Sequence, residues 1–307
     1  MRNGQLRRAS WTAGWLALVS LGACTSDPEV HTCVVQEDCP ASLSCLQQVC
    51  ESIALPQVTL LNPEDDQVYP WNGDGSAHTE LLTIVAADLV LRPKAESSAR
   101  VVGDGYLVVF VDEVEVATID SGDLQAGVQV EVSFDDTPGV HRLRVQARLN
   151  DGTDYDNGEG SARSLLWVDD GREHVALRQP WPGDAFSLDS QLIDAEVVAM
   201  PGGAVTIAPP STEQQIGHVH YDAEPFDLCL MEPQCVVGYN GVVPSNEDAF
   251  GPVLLPRSEA GMVALTVLVT HHYHTPYFYD DEMGIERQVY SSIQIERTDT
   301  VVTPPRP

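Results

Sequence analysis

Apolar and polar residues alternate in short runs along this chain, and Pro and Gly close the runs at short intervals. That pattern constrains it to β-structure. Val128-Gln-Val-Glu-Val-Ser-Phe134 and His141-Arg-Leu-Arg-Val-Gln-Ala147 repeat at the two-residue period of a half-buried strand. Tyr106-Leu-Val-Val-Phe-Val111 is continuously apolar and suits a buried strand. Asp136-Thr-Pro-Gly139, Asp151-Gly152 and Asn157-Gly158 read as turns between such runs. From residue 56 onward no amphipathic helix of three turns is apparent. The expected fold class is all-β, with sheets paired as sandwiches so that each buries its apolar face.

A weak repeat divides this region. Leu61-Asn-Pro-Glu-Asp-Asp66 matches Arg178-Gln-Pro-Trp-Pro-Gly-Asp184. Gly105-Tyr-Leu-Val-Val-Phe110 matches Gly217-His-Val-His-Tyr221, and Pro138-Gly-Val-His-Arg-Leu-Arg-Val145 matches Ala260-Gly-Met-Val-Ala-Leu-Thr-Val267. Each copy has about the length of one sandwich domain. Two tandem immunoglobulin-like domains are expected, over 56–169 and 172–297, with the boundary near Asp169-Asp170-Gly171. Residues 298–307 are expected to form a disordered or extended tail.

The N-terminus carries an export signal. Arg2, Arg7 and Arg8 precede an apolar run from Trp11 to Leu21. At about eleven residues that run suits a signal-peptide core and is too short to span a bilayer. Leu21-Gly-Ala-Cys24 then resembles the lipobox of bacterial lipoproteins, with Gly22 a less usual residue at its place. The resemblance implies removal of residues 1–23 and lipidation of Cys24, so that several acyl chains anchor the protein to a membrane. Thr25, rather than Asp, after that Cys looks like the outer-membrane choice in lipoproteins that follow such a sorting rule. The expected location is the bacterial outer membrane or cell surface.

Cysteine usage agrees with export. Beyond Cys24, Cys33, Cys39, Cys45 and Cys50 run as C-x5-C-x5-C-x4-C, and Cys229 and Cys235 stand at C-x5-C. An even number of Cys in an oxidising compartment reads as three disulfides, with the connectivity of the first four open. Zinc sites more typically show C-x2-C pairs. A polar tether over 24–32 leads into a disulfide-rich module over 33–52, too small to stand on a hydrophobic core. Cys33-Val-Val-Gln-Glu-Asp-Cys39-Pro resembles the Cys-rich knots that follow the lipobox in surface lipoproteins of predatory soil bacteria.

Charge excludes some partners. Removing residues 1–23 takes away three Arg and no acid, leaving 13 Lys and Arg against 46 Asp and Glu, a formal charge of −33. Such a surface repels nucleic acid and anionic lipid alike.

Five of the nine His lie in two segments of the second copy. His218-Val-His220 places two imidazoles on one face of a strand, and Thr270-His-His-Tyr-His-Thr-Pro276 does the same for His272 and His274, with His271 opposed. His218, His220, His272 and His274 are therefore candidate ligands for copper or zinc, and Met231, Met262 or Met283 could add a soft ligand for Cu(I). These same segments, with the Ala260-Gly261 turn, resemble an exported, paired-His immunoglobulin-like domain family of unknown function over roughly residues 172–297. Val263 and His271 depart from its usual His and Asp, and the Cys229–Cys235 loop is additional. The resemblance implies fold and export, with no assigned reaction.

Asp151-Gly-Thr-Asp-Tyr-Asp-Asn-Gly-Glu159 is dense in acids but lacks the order of a calcium loop, and reads as a solvated hairpin tip. Asp280-Asp281-Glu282 reads as a loop. No G-x-S-x-G, P-loop, H-E-x-x-H or G-x-G-x-x-G is present. The expectation is a non-enzymatic, lipid-anchored envelope or surface protein with a structural role or one of binding protein or glycan ligands. The alternative is a copper- or zinc-binding protein that uses the His cluster.

Overall fold

The computed structural model describes residues 44–46, 49–51, 54–94, 101–155, 157–190, 192–203, 205, 207, 216–225, 241–242, 250–255, 260–271, 278–280 and 286–299. Residues 1–52 and 53–307 form separate compact units. In the first, β1 (Ser44–Leu46) and β2 (Val49–Glu51) make an antiparallel hairpin whose register sets Cys45 opposite Cys50. Cys24, Cys33, Cys39, Cys229 and Cys235 lie outside the described residues.

The second unit is nearly all strand, with one 3-10 turn at Gly158–Gly160 among the described residues. Its first half pairs two sheets. One has the order β3 (Gln57–Asn62), β5 (His78–Ala87), β9 (Val128–Phe134). The other runs β4 (Gln67–Pro70), β11 (Ser161–Asp169), β10 (Gly139–Leu149), β7 (Asp104–Val111), and both β6 (Val90–Leu91) and β8 (Val114–Ile119) pair with β7. Alternation dictates the core. Leu82, Ile84, Val132 and Phe134 from one sheet meet Leu107, Val109, Leu143, Val145 and Leu166 from the other. β9 spans the alternating segment read from sequence, residue for residue.

The same strand order recurs beyond it. β12 (Val175–Gln179), β14 (Leu192–Ala199) and β17 (Phe250–Leu254) form one sheet. β13 (Ala185–Ser187), β21 (Tyr290–Thr298), β18 (Gly261–His271), β15 (Ile216–Pro225) and β16 (Gly241–Val242) form the other, with a separate hairpin of β19 (Phe278–Asp280) and β20 (Glu286–Gln288). β13 lies parallel to β21 as β4 lies parallel to β11. A cis X-Pro bond, at Asn62–Pro63 and Gln179–Pro180, falls between the corresponding strands in both halves. Positions matched in sequence occupy corresponding rungs: Tyr106 faces Arg148 across β7–β10, and His218 faces Thr270 across β15–β18. Each half pairs two sheets, and the unit has immunoglobulin-like β-sandwich character. A second core gathers Val219, Tyr221, Val263, Leu265, Val267 and Ile295.

β10 departs from the half-buried pattern that its alternation predicts. Arg142 and Gln146, on the face away from the first core, are also buried, and so is His141. Gln146 is satisfied by the carbonyls of Ala147 and Tyr155. Arg142 is covered by Trp181, which comes from the second half of the unit.

Trp181 is the centre of the joint between the sandwiches. It packs with Leu165 and Trp167 on the outer face of β11 and with Ala176 and Met200. Its indole N–H donates to Glu113 Oε1 at 2.7 Å. The guanidinium groups of Arg142 and Arg163 lie 5.0 and 5.3 Å from its ring centroid, within cation–π range. Arg163 in turn makes a bidentate pair with Asp184 at 2.7 and 3.1 Å, and Arg178 links Asp66 of the first sandwich to Glu196 of the second. Burial lowers the Arg142 pKa to about 10, so the guanidinium stays charged near neutrality.

Two substitutions test this architecture. A Cβ at Gly105 would stand 2.0 Å from the Arg148 carbonyl oxygen, so Gly105→Ala should destabilise the first sandwich. The expected cost is about 1–3 kcal/mol, read as a lower denaturant midpoint at unchanged slope. An unaltered midpoint would contradict the β7–β10 register. Trp181→Ala should cost about 3–5 kcal/mol, since it opens a cavity and removes the indole hydrogen bond. Equilibrium denaturation measures it, and a loss under about 1 kcal/mol would show that the joint does not rest on this ring.

Candidate functional site

The structure describes part of the His cluster read from sequence. His218 and His220 occupy alternate positions of β15, opposite Thr270 and Leu268 of β18, while His271 ends β18 opposite Ile216. His272 and His274 lie outside the described residues. His220 is buried, and so are Ala264, Thr266 and Leu268 on β18. The matching positions of the first sandwich, Tyr106 and Val108, form a small buried cluster with Phe110. Burial at residue 220 thus follows the architecture that buries Val108. Among the described residues no group of three or more His, Cys, Asp and Glu is arranged to hold a metal ion.

In the acidic segment 151–159 the described acids, Asp151, Asp154 and Glu159, are exposed, while Tyr155 is turned inward. Asp151 accepts from the Thr153 N–H, Asp154 pairs with Arg148, and Tyr155 is buried with its hydroxyl bonded to the first-sandwich backbone at Gly103 and Asp104.

A different set of His emerges in and beside the first sandwich. His78 Nε2 lies 2.7 Å from Asp136 Oδ1, His141 Nδ1 2.7 Å from Asp112 Oδ2, and His174 Nε2 2.9 Å from Asp170 Oδ1. The Phe134 ring sits between His78 and His141, with centroids 5.2 and 5.1 Å away, and Tyr69 closes the row. Of these pairs only His174–Asp170 is local in sequence. The other two span 58 and 29 residues, so no spacing in the chain announces them.

Asp136 does more than hold His78. Its carboxylate accepts the backbone N–H of Asn72 and of Gly73, clamping the loop that follows β4. Burial opposes its ionisation, but these N–H donors and His78 hold its carboxyl below the usual range. The loop carries Trp71, whose backbone N–H donates to the Asp169 carbonyl. Gly73 takes the left-handed conformation at φ +70°, and Ser76 is bonded to Asn72 and Asp74. Trp71 is 40 % exposed, against 0 % and 1 % for Trp167 and Trp181. The result is a preformed loop presenting an indole beside amide, carboxylate and hydroxyl groups.

No family model and no curated protein matches the chain. Among solved structures it is similar to the fibronectin(III)-like modules of Clostridium thermocellum CbhA, at 10 % identity and TM-score 0.23, covering 78 % of this chain and 94 % of that one. A chimeric titin Z1Z2 tandem gives 11 % identity and TM-score 0.22, covering 78 % and 97 %. A Bacteroides ovatus protein, SGBP-B, solved with a mixed-linkage heptasaccharide, gives 10 % and 0.18, covering 79 % and 70 %. These likenesses are slight, and the immunoglobulin-like assignment stands on the strand order described above.

The clamp has a direct test. Asp136→Asn should speed hydrogen exchange at the Asn72 and Gly73 amides at neutral pH while leaving the β9 and β10 core amides protected. Unchanged exchange at both loop amides would remove Asp136 from this role.

Proposed function

We propose that the chain is a non-enzymatic, lipid-anchored surface protein that displays two tandem immunoglobulin-like domains for binding. The observation that carries the binding role is the Trp71 loop. An exposed indole on a loop whose backbone is clamped at Asn72 and Gly73 can stack on an apolar or sugar face with little ordering of that backbone, and Asn72, Asp74 and Ser76 beside it offer polar partners. The domains meet through a buried Trp and several ion pairs, which suits presentation at a fixed relative orientation. The lipobox-like Leu21-Gly-Ala-Cys24 supports anchoring to the outer membrane or cell surface, and the six further Cys support an oxidising destination.

Replacement of Cys24 by Ala should move the protein from the membrane pellet to the soluble fraction and abolish palmitate incorporation; an unchanged pellet contradicts the anchor. Thiol titration of the denatured, exported protein should find no free Cys among the remaining six, and any stoichiometric thiol argues against three disulfides. For glycan binding, affinity electrophoresis in soluble polysaccharides should retard the wild type and not Trp71→Ala. Equal mobility of the two in every polysaccharide would set the glycan reading aside.

Copper or zinc binding is the second reading. It is supported by the register of β15 on β18, in which His218 stands opposite Thr270, the residue before His271. Calorimetry with Cu²⁺ and Zn²⁺ should give heat that His218→Ala/His220→Ala removes. Absence of heat for both ions ends this reading.

A further inference from the structure

His141 stands at the start of β10 with both ring nitrogens engaged. Nδ1 lies 2.7 Å from Asp112 Oδ2, and Nε2 lies 2.9 Å from the Thr137 carbonyl oxygen. A carbonyl oxygen only accepts. Asp112 accepts as well, since its other oxygen takes the backbone N–H of Arg142 at 2.7 Å. An imidazole between two acceptors needs a proton on each nitrogen. The side chain is only 5 % exposed, so water does not substitute easily for either bond.

The two acceptors belong to different segments. Asp112 sits in the two-residue turn between β7 and β8, where it and Glu113 both take positive φ, the geometry of a type I′ hairpin. Thr137 sits in the segment joining β9 to β10. That segment also carries Asp136, whose carboxylate clamps the Trp71 loop.

We propose that His141 is a proton-dependent pin: as imidazolium it ties the β9–β10 segment to the β7–β8 turn, and losing one proton releases the segment and with it the clamp on the Trp71 loop. A neutral imidazole keeps one N–H. The carboxylate of Asp112 is the stronger acceptor and retains it, so the proton leaves Nε2 for solvent and the Thr137 carbonyl loses its donor. What remains there is a lone pair facing a lone pair.

The groups around the ring favour the charged form. Burial works against it, but the hydrogen bond and charge of Asp112, the Thr137 carbonyl and Asp135, 3.7 Å away, outweigh burial and raise the pKa. Other elements add both signs. Glu113 is next to Asp112, the Arg142 guanidinium also feels Asp112, the Phe134 ring separates His141 from the His78–Asp136 pair, and His174 lies beside Gly139. Because the folded pKa exceeds the unfolded one, the stabilisation is complete below about pH 6.5 and is lost as pH rises through the folded value. The pin is strong in acid and weak in alkali. This device concerns the Trp71 loop whatever the loop binds.

Two measurements on the exported chain decide the matter. Long-range ¹H–¹⁵N correlation should show both His141 nitrogens protonated at pH 6, with a titration midpoint above the ordinary value of about 6.5. A neutral ring at pH 6, or a midpoint at or below the ordinary value, overturns the proposal. Hydrogen exchange at Asn72 and Gly73, corrected for its intrinsic pH dependence, should accelerate by about tenfold per pH unit as pH rises from 6.5 to that midpoint. His141→Gln should flatten that dependence, and an identical pH profile in the variant assigns control to another group and overturns the pin. If His141→Gln does not fold, the nitrogen titration of the wild type still decides.

Discussion

The joint between the sandwiches depends on where Trp181 is seated. An indole of that size is expensive to leave in water and cannot be buried by either sandwich alone, because it emerges just after a strand at the sheet margin. It is accommodated only by packing on the outer face of β11, between Arg142 and Arg163. That placement makes two buried or half-buried cations useful, for each is desolvated yet faces an aromatic ring and an acid. It also explains why β10 is buried on both faces: its inner face supplies the first core and part of its outer face supplies the joint.

A second constraint operates nearby. The turn Asp112-Glu113 serves both regions at once, with Glu113 accepting from Trp181 and from Arg144, and Asp112 accepting from His141 and from the Arg142 backbone. One hairpin turn thus links the inter-sandwich contact to the segment that positions the Trp71 loop. Two residues with positive φ and no glycine are held there by their side-chain bonds, as expected where tertiary contacts over-determine a local conformation.

Much of the architecture was legible in the chain. The alternating segments of β9 and β10 and the apolar run of β7 are strands, and matched positions in the two copies fall on corresponding rungs, because period and order are local properties that a sheet preserves. Less of the site could be read. Sequence directs attention to the clustered His of residues 218–220 and 271–274, since clustering is visible along a chain. The pairs His78–Asp136 and His141–Asp112 were not visible, because their partners come from strands brought together only by the sandwich. Trp71 gave no signal either. Five Trp are present in the sequence, and which of them meets solvent depends on what packs over each.

Sequence by itself determined that the body is β-structure, where its strands repeat, and which basic, apolar and cysteine-bearing segment precedes it. These follow from two-residue periodicity, turn residues and composition, all short-range. Only the tertiary structure decided which ionisable groups meet. It buried Trp167 and Trp181, left Trp71 exposed on a clamped loop, and gave His141 two acceptors instead of one. Those outcomes depend on contacts between residues tens of positions apart, and no local pattern in the chain encodes the distance between them.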